Sequence, residues 1–200
     1  MRSAVAFLFG IFLLQVPGFA QIKVEVSDLA HHPIEAGFAS GGKLELHIRS
    51  GEIHIVGTDE DKVVVHAGGT QGSGSTDIRA SFERSDHSGK LRVTDGPNNG
   101  VTINIQVPKH SDLLIRIFAG DVEVKDIRGN MNVELSAGEL TIGVGDPADY
   151  LHVEASVTTG SIDAQPFGES RGGMFRSFEK SGSGKYKLVA HVGAGNLTLQ

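Results

Sequence analysis

Apolar and polar residues alternate strictly over several short stretches of the chain. The longest stretch runs from Val101 to Val107, and shorter ones cover residues 22–26, 44–48 and 53–55. A period of two places successive side chains on opposite faces of an extended strand, so that one face is buried and the other is exposed. No stretch after Ala20 has a convincing helical period. The pattern therefore predicts an all-β protein.

A cassette that begins with glycine repeats along the second half of the chain. Gly120, Gly129 and Gly138 are nine residues apart. Glycine permits a positive φ at a sharp corner, and the residues after it alternate outward and inward. Two units make a coil of 18 residues, and the spacing from Gly138 predicts a wider coil of 22. The inward residues keep the nine-residue spacing as well, at Leu113, Val122, Met131 and Leu140.

This regularity favours a β-solenoid, which we predict to be a right-handed β-helix. Stacked coils keep inward residues in register while each corner keeps its glycine. A β-sandwich is the alternative, because hairpins also give short strands at regular spacing. We expect residues 21–200 to form a single β domain, with a less regular part at 21–107 and regular repeats at 108–200. Residues 168–184 interrupt the repeat.

The first 20 residues have the features of a secretory signal peptide. Arg2 precedes an apolar run from Ala4 to Leu14, and Gly18-Phe19-Ala20 supplies the small residues of a cleavage site after Ala20. The apolar run is short for a membrane span, so we expect no transmembrane segment after cleavage. The chain has no cysteine, which excludes a lipid anchor at that site and any disulfide. The sequence predicts export to a bacterial periplasm, the cell surface or the medium.

Charge argues against nucleic acid as a partner. The net charge is −6, and loss of residues 1–20, which hold Arg2 and no acidic residue, makes it −7. The basic residues do not cluster along the sequence, whereas phosphate binding needs a positive stripe. An acidic balance of this size is typical of a soluble surface.

Motifs for catalysis or cofactor binding are not evident in the sequence. There is no Gly-x-Ser-x-Gly, and the Gly-Lys pairs are followed by Leu or Tyr where a P-loop needs Ser or Thr. His47 and His54 suggest a zinc site, and Asp146 with Asp149 suggests calcium, but solvated histidines and ordinary turn chemistry explain both better. We therefore predict no catalytic residue, no metal ligand and no cofactor.

The outward positions of the repeat form the candidate binding face. A glycan-active β-helix enzyme is the alternative, with paired carboxylates such as Glu123 and Glu134 as acid and base. Sugar clefts generally have aromatic platforms, and this chain has two Tyr and no Trp. The predicted face consists of Asp121, Glu123, Lys125, Asn130, Asn132, Glu134 and Glu139.

The chain resembles a known bacterial group at Ser50-Gly51-Glu52-Ile53, at Val107-Pro108, and in the series from Ala119-Gly120-Asp121-Val122 to Ala194-Gly195-Asn196-Leu197. It is similar to the domain family of unknown function labelled "putative adhesin". The resemblance covers roughly residues 40 to 200. It implies an exported β-solenoid and carries over no catalytic residues. We expect a non-enzymatic envelope module for binding or assembly, whose partner is a cell-surface polymer, an envelope protein or another copy of itself.

Overall fold

The computed structural model describes residues 22–68, 78–94 and 101–200, so the predicted signal peptide lies outside the described residues. Strands dominate, which confirms the all-β prediction. No helix within these ranges has the length and apolarity that a membrane crossing needs. The strands are β1 (Ile22–Val26), β2 (Ile34–Gly37), β3 (Lys43–Thr58), β4 (Lys62–Gly68), β5 (Arg79–Ser85), β6 (Ser88–Thr94), β7 (Thr102–Pro108), β8 (Asp112–Lys125), β9 (Met131–Ile142), β10 (Tyr150–Ala164), β11 (Glu169–Ser181) and β12 (Tyr186–Leu199), with 3₁₀ turns at Pro147–Asp149 and Gln165–Phe167.

These strands form one mixed sheet that is not closed. Its order is β1-β5-β6-β3-β8-β9-β12-β10-β11, and β7, β4 and β2 continue from the second part of β3. Strands β3, β8, β9, β12 and β10 run parallel to their neighbours in that list. Strands β1, β5 and β11 pair antiparallel at the two ends of the sheet.

Each of the five long parallel strands turns a corner at a glycine. The five glycines lie in register across the strands and have φ between 130° and 139°, a region that side chains with a Cβ rarely adopt. Burial shifts by one residue at the corner, as in β8, where Ile117 and Val122 are both buried. We call the part of each strand before its glycine the first limb and the part after it the second limb. The corner glycines are Gly51, Gly120, Gly138, Gly195 and Gly160.

Inward side chains of neighbouring strands stack as ladders. Ile115 pairs with Val133, which pairs with Ala190, and all three are fully buried. Ladders on both limbs belong to one apolar cluster. Burial of a Val, Leu or Ile side chain contributes about 1.5–3 kcal/mol, so these ladders supply the main favourable term of folding.

The predicted coil length is confirmed where the repeat is regular. Leu113 pairs with Met131 and Gly120 pairs with Gly138, a spacing of 18 residues in both cases. Arg128 donates its backbone N–H to the carbonyl of Lys109 at 2.6 Å, so the turns between the strands are stacked as well.

The order of strands differs from the order of the chain, and here the prediction was wrong. Gly138 pairs with Gly195 of β12, and Gly195 pairs with Gly160 of β10. The C-terminal strand therefore lies between β9 and β10, where a coil of 22 residues was predicted to place β10 against β9. The cassette of β12 has the same corner and inward spacing as its two neighbours, so its ladders match both of them.

Candidate binding surfaces

The glycine corner divides the predicted outward face into two surfaces. Asp121 and Glu123 lie on the second limb of β8, and Lys125 ends that limb. Glu139 pairs with Asp121 from the second limb of β9. The remaining predicted residues belong elsewhere: Asn132 and Glu134 lie on the first limb of β9, and Asn130 lies in the turn before it.

The second-limb surface carries an acidic row close to the corner. Asp121 lies between Glu52 and Glu139 on neighbouring strands. Thr102 donates to Glu52 at 2.9 Å, and this hydrogen bond, together with a weaker one from His54, lowers the pKa of Glu52. Like charges side by side on a sheet repel each other, and these partners offset part of that repulsion.

A second polar network follows along the same limb. Lys125 contacts Glu123 at 2.6 Å, and the ring of His54 contacts it at 3.1 Å. The Lys125 contact is the largest favourable cause that lowers the pKa of Glu123, followed by His54. These contacts keep the Glu123 carboxylate ionised and engaged.

The carboxylates of the enzymatic alternative do not converge. Glu123 belongs to the second-limb network, whereas Glu134 lies on the first limb and contacts Arg116 at 3.2 Å. Acid–base cleavage of a glycan needs two carboxyl groups that face one bond. The particular pair that the sequence suggested is therefore separated by the corner.

The two candidate histidines lie on different limbs of β3. His47 contacts Glu45, and His54 contacts Glu52 and Glu123. Among the described residues, no three His, Asp or Glu side chains are grouped so that they could hold a metal ion. Each histidine instead belongs to a surface network with its neighbouring carboxylates.

The first-limb surface holds a cationic cleft that the sequence did not reveal. His47 of β3 pairs with Arg92 of β6 on one side and with Arg116 of β8 on the other. Arg49, two residues after His47, lies on the same outward face. Phe118 also lines the cleft, which has a volume of about 430 Å³, and its side chain is 69% exposed. We call these five residues, His47, Arg49, Arg92, Arg116 and Phe118, the arginine cleft.

The charges of the arginine cleft are only partly balanced. Arg116 contacts Glu134 at 3.2 Å and Glu45 at 3.8 Å. Glu45 is engaged first by His47 and then by Lys90, and both lower its pKa. Arg49 and Arg92 make no ion pair with any described carboxylate, so two cations beside an exposed aromatic ring remain open to an anion.

A smaller cleft contains both tyrosines of the chain. Tyr150 and Tyr186 line about 220 Å³ together with Asp126, Asp146 and Asp149, and Lys125 and Arg128 complete its wall. Burial raises the pKa of the Tyr150 hydroxyl to about 12, with smaller contributions from Asp149 and Tyr186. Asp146 accepts from the backbone N–H of Ala148 at 2.9 Å and so caps the 3₁₀ turn. We call this the tyrosine cleft.

Strand β11 ends the sheet and presents a long outer edge. Met174 and Phe175 are 66% and 80% exposed. Arg171 donates to the carbonyl of Ser177, and Arg176 donates to the carbonyl of Gly172, each at 2.9 Å. Charged side chains on an edge strand oppose pairing with a further strand. These two arginines therefore protect an edge that self-association through strand addition would need.

Comparison with known proteins gives a structural likeness and no sequence family. No protein-family model matches the chain. No curated protein matches it either. The fold is similar to the crystal structure of a putative cell adhesion protein from Clostridium sporogenes, with a TM-score of 0.53 and 14% identity, over 84% of this chain and 99% of that one. A putative adhesin from Bacteroides fragilis aligns over 92% of this chain and 99% of that one, with 10% identity and a TM-score of only 0.24.

At this level of identity the first likeness concerns the fold alone. It covers most of both chains, so the shared feature is the overall arrangement of strands. The likeness assigns no residue of this chain to a site. It is consistent with the resemblance to the bacterial adhesin group that the cassettes suggested.

Proposed function

We propose that this chain is an exported, non-enzymatic β-solenoid that binds at a bacterial cell surface or envelope. The observation that carries the proposal is the in-register stacking of the five corner glycines. Such stacking repeats outward positions at one strand spacing, about 4.8 Å, and builds two extended, rigid polar surfaces. Solenoid proteins use such surfaces to bind extended partners.

The solenoid interpretation is favoured over a sandwich by the parallel pairing. A β-sandwich is built from antiparallel hairpins and Greek-key connections. Here β8 and β9 are joined by a short turn and yet pair in parallel over both limbs. A chain that returns to the same position after each coil gives this pattern directly.

The likeness to a protein described as a cell adhesion protein supports the role. Export is supported by the features of residues 1–20. We expect a fusion of residues 1–20 to alkaline phosphatase lacking its own signal to be active in a bacterial host, because that enzyme needs periplasmic disulfides. An inactive fusion with Arg2 and the apolar run intact would contradict export.

Binding is tested with the purified chain from Gln21 onward. We expect it to sediment with isolated cell envelopes or with an insoluble envelope polymer, and to do so saturably. The unfolded chain, prepared by heating, is the control for nonspecific adsorption. Failure to bind envelopes, whole cells and every soluble glycan tested would overturn the proposed role.

The tyrosine cleft is the observation that favours the enzymatic alternative. It brings carboxylates and both tyrosines together, although its volume of about 220 Å³ is below the roughly 300–1,000 Å³ of typical ligand sites. Asp149→Asn with Tyr186→Ala tests it through the release of reducing ends from glycans. Cleavage by the native chain that this double variant lacks would establish the enzyme, and we expect no cleavage by either.

A further inference from the structure

We propose that the arginine cleft binds an acidic polysaccharide through its carboxylate groups, a ligand class that rests on the proposed binding function. The cleft is formed where β6, β3 and β8 lie side by side. Its five residues come from three segments that are distant in sequence. Only the lateral order of the strands brings them together.

The first argument is the arrangement of charge. Arg92 and Arg116 flank His47 on neighbouring strands, and Arg49 lies one position further along β3 on the same face. Similar charges placed opposite each other destabilise a sheet. The chain as a whole is acidic, with a net charge of −6. A cluster of cations in such a protein is explained by an anionic ligand, which offsets the repulsion.

The second argument is the chemistry of the open side chains. Arg49 and Arg92 have no carboxylate partner among the described residues, and both are exposed. A guanidinium presents a planar fork of donors that matches a carboxylate with two parallel hydrogen bonds. The two arginines therefore offer the donors that an acidic sugar requires.

The third argument is the exposed ring of Phe118. Large aromatic side chains are seldom left on a surface without a use, and 69% of this one is exposed. It lies across β8 from Ser136 of β9, and both line the cleft beside Arg49. An aromatic face with a small neighbour leaves room for the apolar face of a sugar ring to stack next to the cations.

Charge density favours a polysaccharide over nucleic acid. Duplex DNA carries one charge per 1.7 Å or so and needs a long positive stripe. The arginine cleft is short, and the acidic row of Glu52, Asp121 and Glu139 lies across the corner from it. A polymer with one carboxylate on each sugar matches isolated arginines two strands apart and avoids strong repulsion from that row.

The test measures binding of polygalacturonate to the purified chain from Gln21 by isothermal titration calorimetry. Neutral dextran and a short DNA duplex are the comparison ligands. We expect binding to polygalacturonate, little to dextran and weaker binding to DNA. Arg49→Gln with Arg92→Gln should weaken polygalacturonate binding by about tenfold or more and reduce its salt dependence.

Two further variants separate the parts of the site. Phe118→Ala should weaken binding severalfold while leaving the salt dependence unchanged, because it removes stacking and no charge. Lys43→Gln with Lys187→Gln is the matched control, since both lysines are exposed on the sheet and neither makes an ion pair with a described residue. This control removes the same charge and should bind like the native chain.

The outcomes distinguish this inference from the proposed function. Native affinity in the Arg49/Arg92 variant, with circular dichroism and melting temperature unchanged, would overturn the cleft while leaving an envelope-binding role in place. Equal or tighter binding of DNA would overturn the choice of polysaccharide. Absence of polygalacturonate binding, while envelopes are still bound, would overturn the ligand class alone.

Discussion

Gly138 lies directly beneath Gly120, so closely that a Cβ added to Gly138 would overlap the Gly120 carbonyl oxygen. The same relationship holds between Gly195 and Gly138 and between Gly120 and Gly51. Each of these glycines also has a positive φ, from 130° to 139°. Close approach and backbone conformation therefore both require glycine at the corner.

We expect Gly138→Ala to destabilise the protein by about 4 kcal/mol or more, because it combines a backbone clash with an unfavourable φ. For a chain of this size such a loss lowers the melting temperature by roughly 10 °C. Thermal unfolding followed by circular dichroism measures it.

Two other glycines supply matched controls for that substitution. Gly145 has a φ of 63° and open space around it, so Gly145→Ala should cost only about 1 kcal/mol. Gly68 has open space and no positive φ, so Gly68→Ala should be within about 0.5 kcal/mol of the native chain. Equal effects at positions 138 and 68 would show that the corners do not stack as described.

Acid should weaken the protein partly through Glu45. His47, followed by Lys90, holds the pKa of Glu45 below its ordinary 4.5. A carboxyl with a lowered folded pKa stabilises above its unfolded pKa, and the benefit disappears as the pH falls through the folded value. Glu45→Gln should therefore melt lower than the native chain at pH 6 and at a similar temperature near pH 3.

The difference at pH 6 should be less than about 4 °C, because partly exposed ion pairs contribute at most about 1 kcal/mol. Melting curves from pH 6 to pH 3 measure it. Lys90→Met removes one partner and leaves His47, so it should show a smaller difference at pH 6. A gap between Glu45→Gln and the native chain that persists unchanged at pH 3 would rule out this source of acid sensitivity.

Local sequence pattern was sufficient for the strands, the corners and the coil length. Alternation reports which side chains face inward, and the 18-residue spacing from Leu113 to Met131 reports which residues lie opposite each other. Both are properties of contiguous sequence. The choice between solenoid and sandwich depends on longer connections and stays a proposal.

Lateral order was not accessible in the same way. The cassettes around Gly138, Gly160 and Gly195 have interchangeable inward and outward spacing, so the pattern fits β12 on either side of β10. The arginine cleft was missed for the same reason, because Arg49 and Arg92 are neighbours only when β6 is known to pair with β3. The predicted outward face was divided because the corner reverses which residues share a surface.

Removal of β12 should disrupt the fold far more than removal of an edge strand. Strand β12 pairs with both β9 and β10, whereas β1 pairs only with β5 in the described sheet. A chain that ends at Lys185 should lose its cooperative thermal transition, because β10 and β11 no longer have a neighbour to pack against. A chain that begins at Ser27 should keep a cooperative transition with a modestly lower midpoint.

Comparison of the two truncated chains by calorimetry gives the answer. If the chain ending at Lys185 melts cooperatively near the native temperature, β12 is not an internal strand. If both truncations abolish folding, the contrast between internal and edge strands is not supported.

Both proposed surfaces depend on the stacking order, and a disulfide between introduced cysteines tests that order most directly. Thr141 pairs with Thr198, and Thr198 pairs with Asp163. Paired residues lie about 4.8 Å apart, within the usual 4.4–6.8 Å Cα separation of a disulfide, whereas residues two strands apart lie beyond it. The native chain has no cysteine, so each introduced pair is unique.

The measurement is the extent of cross-linking after mild oxidation, read by mass and by mobility on a nonreducing gel. Thr141→Cys with Thr198→Cys should cross-link nearly completely while the melting transition is retained. Thr141→Cys with Asp163→Cys should remain reduced. The reverse result, with Thr141 joined to position 163 and not to position 198, would show that the coils stack in chain order and would contradict the structure on which both binding surfaces rest.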